Sequence, residues 1–515
     1  MAGSYGTEHQ RDARDGDATT NHGSTFRYRP RRYKAPVASM GARLGAGLAP
    51  GELWSRRPVR PRSGAPRRVR SYAGEVPLPP GPSSPPLFQI ARWVARPLEL
   101  LDDCQRTYGD VFTMRAPRAG AFVIVSVPEL IKEVFAAPPD VLLAGMGNAM
   151  LLEPMVGKNS VLTLDGAEHL RQRRLLLPAF NGERMQAFGT VMREIAEASF
   201  ERWPIGEPFS LHTHLQDITL DVILRTVFGL DAGDAHGALR TKIVELLDRA
   251  ARPWMMLPGM LGVDLLRIPF LPVSKLKRAV DEALYAVIAE RRRRPSGGTD
   301  VLSTMLLARD EQGQPMTDVE LRDELVTLLI AGHETTATSL GWVFDRLLAH
   351  PQTYAKLATE IDAGRDEYLD AVIRETLRVR PILPLVGRHV VKPFTLGPWT
   401  IPPGARIAPS IYLAGRREDA YPHPDRFEPE RWLGVRPDPY SWLPFGGGTR
   451  RCLGMAFAQF EMRIVLQTVV PRARLQLAQG PARVVRRGIT LAPEGGPRVV
   501  LVARASSNAA QLTSR

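Results

Sequence analysis

Beyond Pro128, apolar residues recur at the helical spacing of about 3.6 over most of the chain. The pattern is clearest from Glu183 to Trp203, Leu211 to Gly229, Lys275 to Arg294, Asp318 to His350 and Tyr368 to Arg380, and each stretch is predicted as a helix. Strand periodicity is sparse. It shows in Phe122–Val127, around Val390–Thr400 and at Arg498–Val502, where β-branched and aromatic residues cluster. Order is expected to begin at the proline-rich Val76–Pro82, a stiff extended connector, with β-like runs following it. No internal repeat is present. The expected fold class is mainly α with a small β component.

The Asp318–His350 helix is long for a globular protein, about 50 Å at about 1.5 Å per residue. Thr317 is placed to cap its N-terminus. Its middle reads Ala331-Gly332-His333-Glu334-Thr335-Thr336, small residues and β-branched alcohols that are poor helix formers. A threonine there can bond back to a carbonyl and distort the ladder. Such a weak point suits a place where something flat approaches and protons are handed on. His333 is expected to be a packing residue.

Composition narrows the class. A chain of 515 residues that is 44% hydrophobic can bury a large core. Its two cysteines, Cys104 and Cys452, exclude a disulfide framework, a cysteine-rich zinc site and an iron–sulfur cluster. Cys104 has no partner motif and is expected to pack. The net charge of +14 is concentrated at the start: residues 1–75 hold fifteen Lys and Arg against six Asp and Glu. That segment is rich in Arg, Pro, Gly and Ser and is expected to be a disordered extension. Residues 76–505 would form the catalytic domain and residues 506–515 a flexible tail. The charge is not distributed as a nucleic-acid surface, so no nucleic-acid partner is expected. Neither a run of eighteen apolar residues nor a signal-peptide pattern occurs, and the expectation is a cytoplasmic monomer without a membrane anchor.

The strongest chemical signal is Phe445-Gly446-Gly447-Gly448-Thr449-Arg450-Arg451-Cys452-Leu453-Gly454. A cysteine at the mouth of a predicted helix, behind a glycine-rich loop and two arginines, is expected to have a lowered thiol pKa and to bind metal as thiolate. The glycines let backbone pass close to something large and flat. The spacing Phe-x-x-Gly-x-Arg-x-Cys-x-Gly resembles the haem-binding loop of the cytochrome P450 family. In that family a thiolate axial ligand pushes electron density onto iron and favours O–O cleavage.

The resemblance extends along residues 76–505. Ala331–Thr336 resembles the family's oxygen-activation motif, which implies that Thr335 hydrogen-bonds activated oxygen, that Glu334 feeds a proton relay and that Ala331 lies against the cofactor. Glu375-Thr376-Leu377-Arg378 with Arg431 in Phe427-Glu428-Pro429-Glu430-Arg431-Trp432 resembles the structural Glu–Arg–Arg bracket. His169 and Arg173, one helical turn apart, together with Arg388 and Arg450, resemble the donors to the haem propionates. The implied cofactor is haem b (iron protoporphyrin IX), with Cys452 as metal ligand and Phe445, Gly446 and Gly454 shaping its loop. The implied activity is a haem-thiolate monooxygenase that inserts one atom of O2 into a hydrophobic substrate. Terpenoid, steroid, fatty-acyl and polyketide-like compounds are the expected classes. No flavin or ferredoxin domain is present, so a separate ferredoxin or flavodoxin with its NAD(P)H-dependent reductase is the implied electron source. A basic face of Arg171, Arg174 and Arg451 is its expected docking surface. The rival readings are a peroxygenase or isomerase that does not use O2, and a haem-based sensor; Glu334 and Thr335 argue for oxygen activation. The expected pocket wall is Asn148–Leu152, Leu329–Ala331 and Ile382–Val386, apolar apart from Asn148.

Overall fold

The computed structural model describes residues 77–117, 120–180, 182–230, 234–250, 266, 268, 271–293 and 298–504. The expected N-terminal extension and C-terminal tail lie outside the described residues. Regular structure starts earlier than the sequence reading placed it. Two helices, α1 (Pro86–Ala95) and α2 (Pro97–Tyr108), precede the first strand. Each opens on a proline at its first position, where the missing N–H has no partner to lose. A reading that takes the proline density as extended chain misses them for that reason. Gln89 of α1, 1% exposed, holds the connector: its amide donates to the carbonyls of Pro82 and Ser84 and its oxygen accepts from the Arg115 N–H.

The chain then forms a hairpin, β1 (Val111–Ala116) and β2 (Gly120–Val125), followed by α3 (Pro128–Ala136), the two-residue β3 (Leu142–Leu143), α4 (Ala144–Val156) and α5 (Gly166–Leu176). Next come α6 (Gly182–Phe200), β4 (Pro208–Ser210), α7 (Leu211–Thr226), α8 (Asp234–Ala250), α9 (Pro272–Arg293) and α10 (Val301–Leu307). The long helix α11 (Asp318–Ala349) is followed by α12 (Pro351–Asp362) and α13 (Glu367–Val379). The segment expected to be strand-like around Val390–Thr400 is three short strands, β5 (Arg388–Val390), β6 (Phe394–Leu396) and β7 (Trp399–Ile401). They are followed by β8 (Arg406–Pro409) and the single turn α14 (Ile411–Ala414). After α15 (Met455–Val469) the chain ends in β9 (Ala473–Leu477), the hairpin β10 (Val484–Arg487) and β11 (Thr490–Pro493), and β12 (Arg498–Arg504).

The main sheet has the order β1-β2-β8-β5-β3, with β2 and β8 parallel and the other pairs antiparallel. It carries its own core of Val123, Val125, Ile131 and Ile407 on one side. On the other side Leu100, Leu101 and Cys104 of α2 meet Phe112 and Ile124, so Cys104 is the packing residue expected, its thiol pushed up to about 11 by burial. The larger core joins α6, α7, α11, α13 and α15.

Helix α11 is the axis of that core. Its start is a full capping box: the Thr317 side chain accepts from the Glu320 N–H and Glu320 accepts from the Thr317 N–H at 2.8 Å. The same Glu320 carboxylate accepts from Arg171 (2.6 Å) and Gln172 (2.8 Å), which ties α5 to the head of α11. The weak residues in its middle do not break it. Thr335 bonds back to the Ala331 carbonyl and Ser339 to that of Thr335, and the helix runs on. Gly332 serves α7, since a Cβ there would lie 2.8 Å from the Ile223 Cδ1.

Below this core sits a fully buried ion pair. Arg378 donates twice to Glu375, at 2.7 and 2.8 Å, and both side chains are 0% exposed. The remaining Arg378 donors reach the carbonyls of Gly415, Pro424 and Arg426. Glu375 also accepts from Arg431 Nε (3.1 Å), Trp432 Nε1 (2.9 Å) and the Glu428 N–H (2.9 Å). The expected bracket therefore forms, with Trp432 as a further member, and it fixes the loops that lead to Cys452. Breaking one side of a satisfied buried pair costs about 3–5 kcal/mol. Arg378→Met is expected to lower the unfolding free energy by that amount in urea titration. A loss below about 1 kcal/mol would show that the Glu375 carboxylate is satisfied without it.

Candidate active site

The segment before α15 folds back on itself. The Cys452 N–H donates to the Phe445 carbonyl at 2.9 Å, Arg451 N–H to Gly448 O, and Gly446 N–H to Leu443 O. Gly446 and Gly448 both take φ of +64°, which a larger residue adopts only with strain. Gly447 and Gly448 leave room for Phe135 of α3, whose ring would meet a Cβ on Gly447 at 2.3 Å. Phe445 ends a run of rings, Tyr421, Trp432, Trp442 and Phe445, with centroids 5.9–6.1 Å apart, that leads back to the Glu375 bracket.

Cys452 is exposed by surface area, yet burial pushes its thiol pKa up. The two observations describe one geometry: a side chain open on one side to a space enclosed by protein. The Gly454 N–H, Arg173 and Arg451 oppose burial but do not outweigh it. The expected lowering of the thiol pKa is thus corrected. The protein alone favours the thiol, and a further positive charge is needed at the sulfur to make the thiolate the stable form.

Arg388 opens β5, is 8% exposed, lies 5.4 Å over the Phe135 ring and, among the described residues, donates only to the Gly387 carbonyl. Burial and the neighbouring Arg450 push its pKa down to about 10. Arg450 donates to the carbonyls of Val161 (3.0 Å) and Leu164 and to Asp165. Arg173 has no hydrogen-bond or ion-pair partner among the described residues. His169, 3% exposed, is held neutral, its pKa lowered to about 4 by burial and then by Arg450, Arg173 and Arg388. Three segments remote in sequence, α5, β5 and the loop before α15, thus bring three guanidinium groups and an imidazole together, with Asp165 as their carboxylate. Asp165 is itself shared with the Gly145 and Met146 N–H groups at the head of α4.

On α11, Ala331 is exposed although Leu329 and His333 on either side are buried. Glu334 is turned toward α7 and the β10–β11 hairpin. Its Oε2 accepts from Gln216 Nε2 at 2.9 Å, Arg487 Nε lies 3.0 Å from Oε1, and His212 Nε2 lies 3.7 Å away, too far for a hydrogen bond. Burial works against the charge, but His212, Arg487 and His333 overcome it and hold the Glu334 pKa at about 2.

The family model for cytochrome P450 matches residues 79–495. The putative cytochrome P450 135B1 of Mycobacterium tuberculosis is 39% identical over 455 residues, covering 85% of this chain and 94% of that protein. The putative cytochrome P450 137 of the same organism is 37% identical, covering 82% and 90%. The chain belongs to the cytochrome P450 family. Among solved structures, a retinoic-acid-bound cyanobacterial CYP120A1 superposes with a TM-score of 0.72 at 23% identity, over 83% of this chain and all of that one. The haem domain of cytochrome P450DA superposes with a TM-score of 0.69 at 22% identity. The fold described above is the P450 fold, and the protein is a haem-binding P450 monooxygenase. Among the described residues no helix is long and apolar enough to cross a membrane.

The residues present fit haem. The cluster around Arg388 carries a buried positive excess, and two propionate carboxylates are the groups that would balance it. Cys452 faces an enclosed space and lacks the positive charge that a ferric or ferrous iron carries. His169, Arg173, Arg388 and Arg450 lie in the first cluster, Phe445, Gly446, Cys452 and Gly454 in the loop before α15, and Ala331, Glu334 and Thr335 in the middle of α11. The expected basic docking face is not free, however. Arg171 is bound to Asp310 (2.7 Å) and Glu320, and Arg174 is paired with Glu311, which leaves Arg451 exposed. Sequence reasoning missed Gln216, His212 and Arg487 around Glu334 and Asp165 beside Arg450. No local pattern announces them, because each comes from an element remote in sequence.

The neutral state of His169 has a pH consequence in protein stripped of haem. Its folded pKa is below the unfolded value, so the stabilisation is fully present above pH 6.5 and is lost as pH falls toward 4. Unfolding free energy should drop by about 3 kcal/mol across that window through this group. His169→Gln is expected to remove that part of the slope; an unchanged slope in chemical denaturation would place the imidazole in water.

Proposed function

We propose that this P450 hydroxylates or epoxidises an apolar small molecule of the terpenoid, steroid, fatty-acyl or polyketide-like classes. Its two electrons come from a separate ferredoxin or flavodoxin with its NAD(P)H-dependent reductase. The observation that carries the substrate class is at Asn148. It is the single polar side chain in the expected pocket wall, and its amide is already committed to the Leu162 carbonyl at 3.1 Å. Met150 and Leu152 of α4 and Leu383, Leu385 and Val386 remain partly exposed, a wall that binds by burial and offers no charge to a carboxylate or amine. Leu329 and Ile382 are more deeply packed and form the backing of that wall.

Bound haem supplies the activation of O2, which takes two electrons and two protons, places one oxygen atom in the substrate and releases the other as water. The chain does the rest. Cys452 would hold the haem iron through its sulfur, supported by the Gly454 N–H and by Arg173 and Arg451. His169, Arg173, Arg388 and Arg450 would hold the propionates, and Phe445, Gly446 and Gly454 give the ligand loop its shape. Ala331 keeps α11 short of a side chain where the cofactor and substrate approach. Thr335 and Glu334 move the protons. The Thr335 hydroxyl, bound to the Ala331 carbonyl, turns from it to hand a proton on, and Glu334, a carboxylate at neutral pH, takes up a proton transiently and passes it along. Arg451 is the exposed positive charge beside the ligand loop that an acidic electron donor meets.

Cys452→Ser should fold and yet lose the red-shifted Soret band of the reduced carbon monoxide complex; retention of that band would remove the axial role. Thr335→Ala should bind haem and substrate as before while diverting electrons to hydrogen peroxide, since positioned proton transfer contributes about 10²- to 10⁴-fold. Wild-type coupling of NADPH to product in that variant would sink the assignment. In Soret titrations, apolar terpenoids, steroids or fatty-acyl compounds are expected to shift the iron spin state. A response confined to charged, water-soluble compounds would overturn the substrate class.

A further inference from the structure

Helix α4 is seated by its first turn. The Gly145 and Met146 N–H groups donate to the two oxygens of Asp165 at 2.8 and 2.7 Å, in place of a side-chain cap. Gly145 is pressed against the loop before α5, where a Cβ would lie 2.4 Å from the carbonyl oxygens of Thr163 and Leu164. Gly147 in turn lies against β5, where a Cβ would be 3.6 Å from the His389 nitrogen. Asn148 follows directly, so two elements fix its backbone before its side chain makes any contact.

The two ends of the Asn148 amide are treated differently. Nδ2 donates to the Leu162 carbonyl at 3.1 Å. That bond orients the amide, since the opposite arrangement would set two oxygens against each other. Oδ1 has no hydrogen-bond partner among the described residues, and it is not sealed from solvent. Gln89, by contrast, uses both ends, its nitrogen on Pro82 and Ser84 and its oxygen on Arg115. The Leu162 carbonyl also places Asn148 relative to the cofactor site. The flanking Val161 and Leu164 carbonyls both accept from Arg450, so Asn148 lies beside the cluster that would hold the propionates. Leu152, one turn further along α4, shares the Asn148 side of the helix and is likewise partly exposed. Asn148 therefore presents one accessible acceptor, held in direction, on a wall that is otherwise apolar.

We propose that Asn148 sets substrate specificity by accepting, at Oδ1, a hydrogen bond from a hydroxyl group on the substrate. Within the apolar classes proposed above, on which this inference rests, it selects neutral alcohols: a terpenoid, steroid or fatty chain with a free hydroxyl. The selection follows from what each kind of ligand does to Oδ1. A hydrocarbon or an ether strips solvent from the oxygen and gives no hydrogen in return, which leaves a polar atom unsatisfied. A carboxylate brings further acceptors and a negative charge to the same atom. A hydroxyl replaces the hydrogen bond to water directly. Because Nδ2 is anchored on Leu162, little freedom is lost when that bond forms, and the bond orients the ligand as well as holding it.

Paired Soret titrations of the haem-loaded protein test this, with farnesol and 1-dodecanol set against their methyl ethers. The ethers keep the oxygen and lose the hydrogen, so they separate a bond to Oδ1 from one to the second Nδ2 hydrogen. Each alcohol is expected to shift the spin state with a Kd about three- to tenfold below that of its ether, the worth of one neutral hydrogen bond. Asn148→Leu, close in volume, should abolish that ratio by weakening the alcohols while the ethers bind at least as well as before. If the variant does not fold, the ratio in the wild-type protein decides. Ethers that bind as well as their alcohols, or a ratio that survives in Asn148→Leu, would overturn the assignment and leave the apolar substrate reading intact. A uniform loss across alcohols and ethers in the variant would mark a structural role and overturn it too. If no member of either pair shifts the spin state, the substrate reading falls and the role of Asn148 falls with it.

Discussion

Arg173, Arg388 and Arg450 are gathered where, among the described residues, Asp165 is the one carboxylate between them, and much of the remaining structure answers that imbalance. A buried guanidinium without a counter-ion is among the most costly things a core can hold. His169 responds by giving up its proton, and Arg388 by stacking over Phe135 and turning to a carbonyl. Asp165 responds by dividing its oxygens between Arg450 and the head of α4. A dianionic cofactor would balance the charge of all of them together. Binding of haem is for that reason also a contribution to folding, by the same mass action that lets any ligand of the native state stabilise it.

The ligand loop shows the same economy of charge. Burial holds the Cys452 sulfur protonated, and the Gly454 N–H, Arg173 and Arg451 are placed to support the anion without creating it. A haem iron at the sulfur would supply the positive charge that they leave wanting. Arg173 belongs to both arrangements, acting on His169 on one side and on Cys452 on the other. The loop itself is stiffened from behind by the ring series that ends in Phe445 and by the Glu375–Arg378 pair. Mutating that pair is accordingly a change to the loop's foundation, although neither residue approaches the reacting atoms.

The long helix connects these arrangements to the distal half of the molecule. Its head is fixed by the capping box and by Arg171 and Gln172 of α5, and its middle lies against α7 through Gly332. Ala331 and Glu334 therefore sit on a rod whose register neither end can shift.

Much of the chemistry was legible in the chain itself. The Cys452 loop, the Thr317 cap, the five long helices and the Glu375–Arg378 spacing are all local: a few residues, in covalent succession, decide backbone geometry and which side chains share a helix face. The early helices α1 and α2 were hidden because proline signals both an extended connector and a helix start, and only the packing of Leu100 and Gln89 distinguishes them. The balance of charge around each group was not legible. The sign of the Cys452 shift, the pairing of Arg171 and Arg174 with acids, and the hold of Gln216 and Arg487 on Glu334 depend on groups more than a hundred residues apart. Electrostatics acts through space and through the depth of burial, and both exist only once the elements are packed.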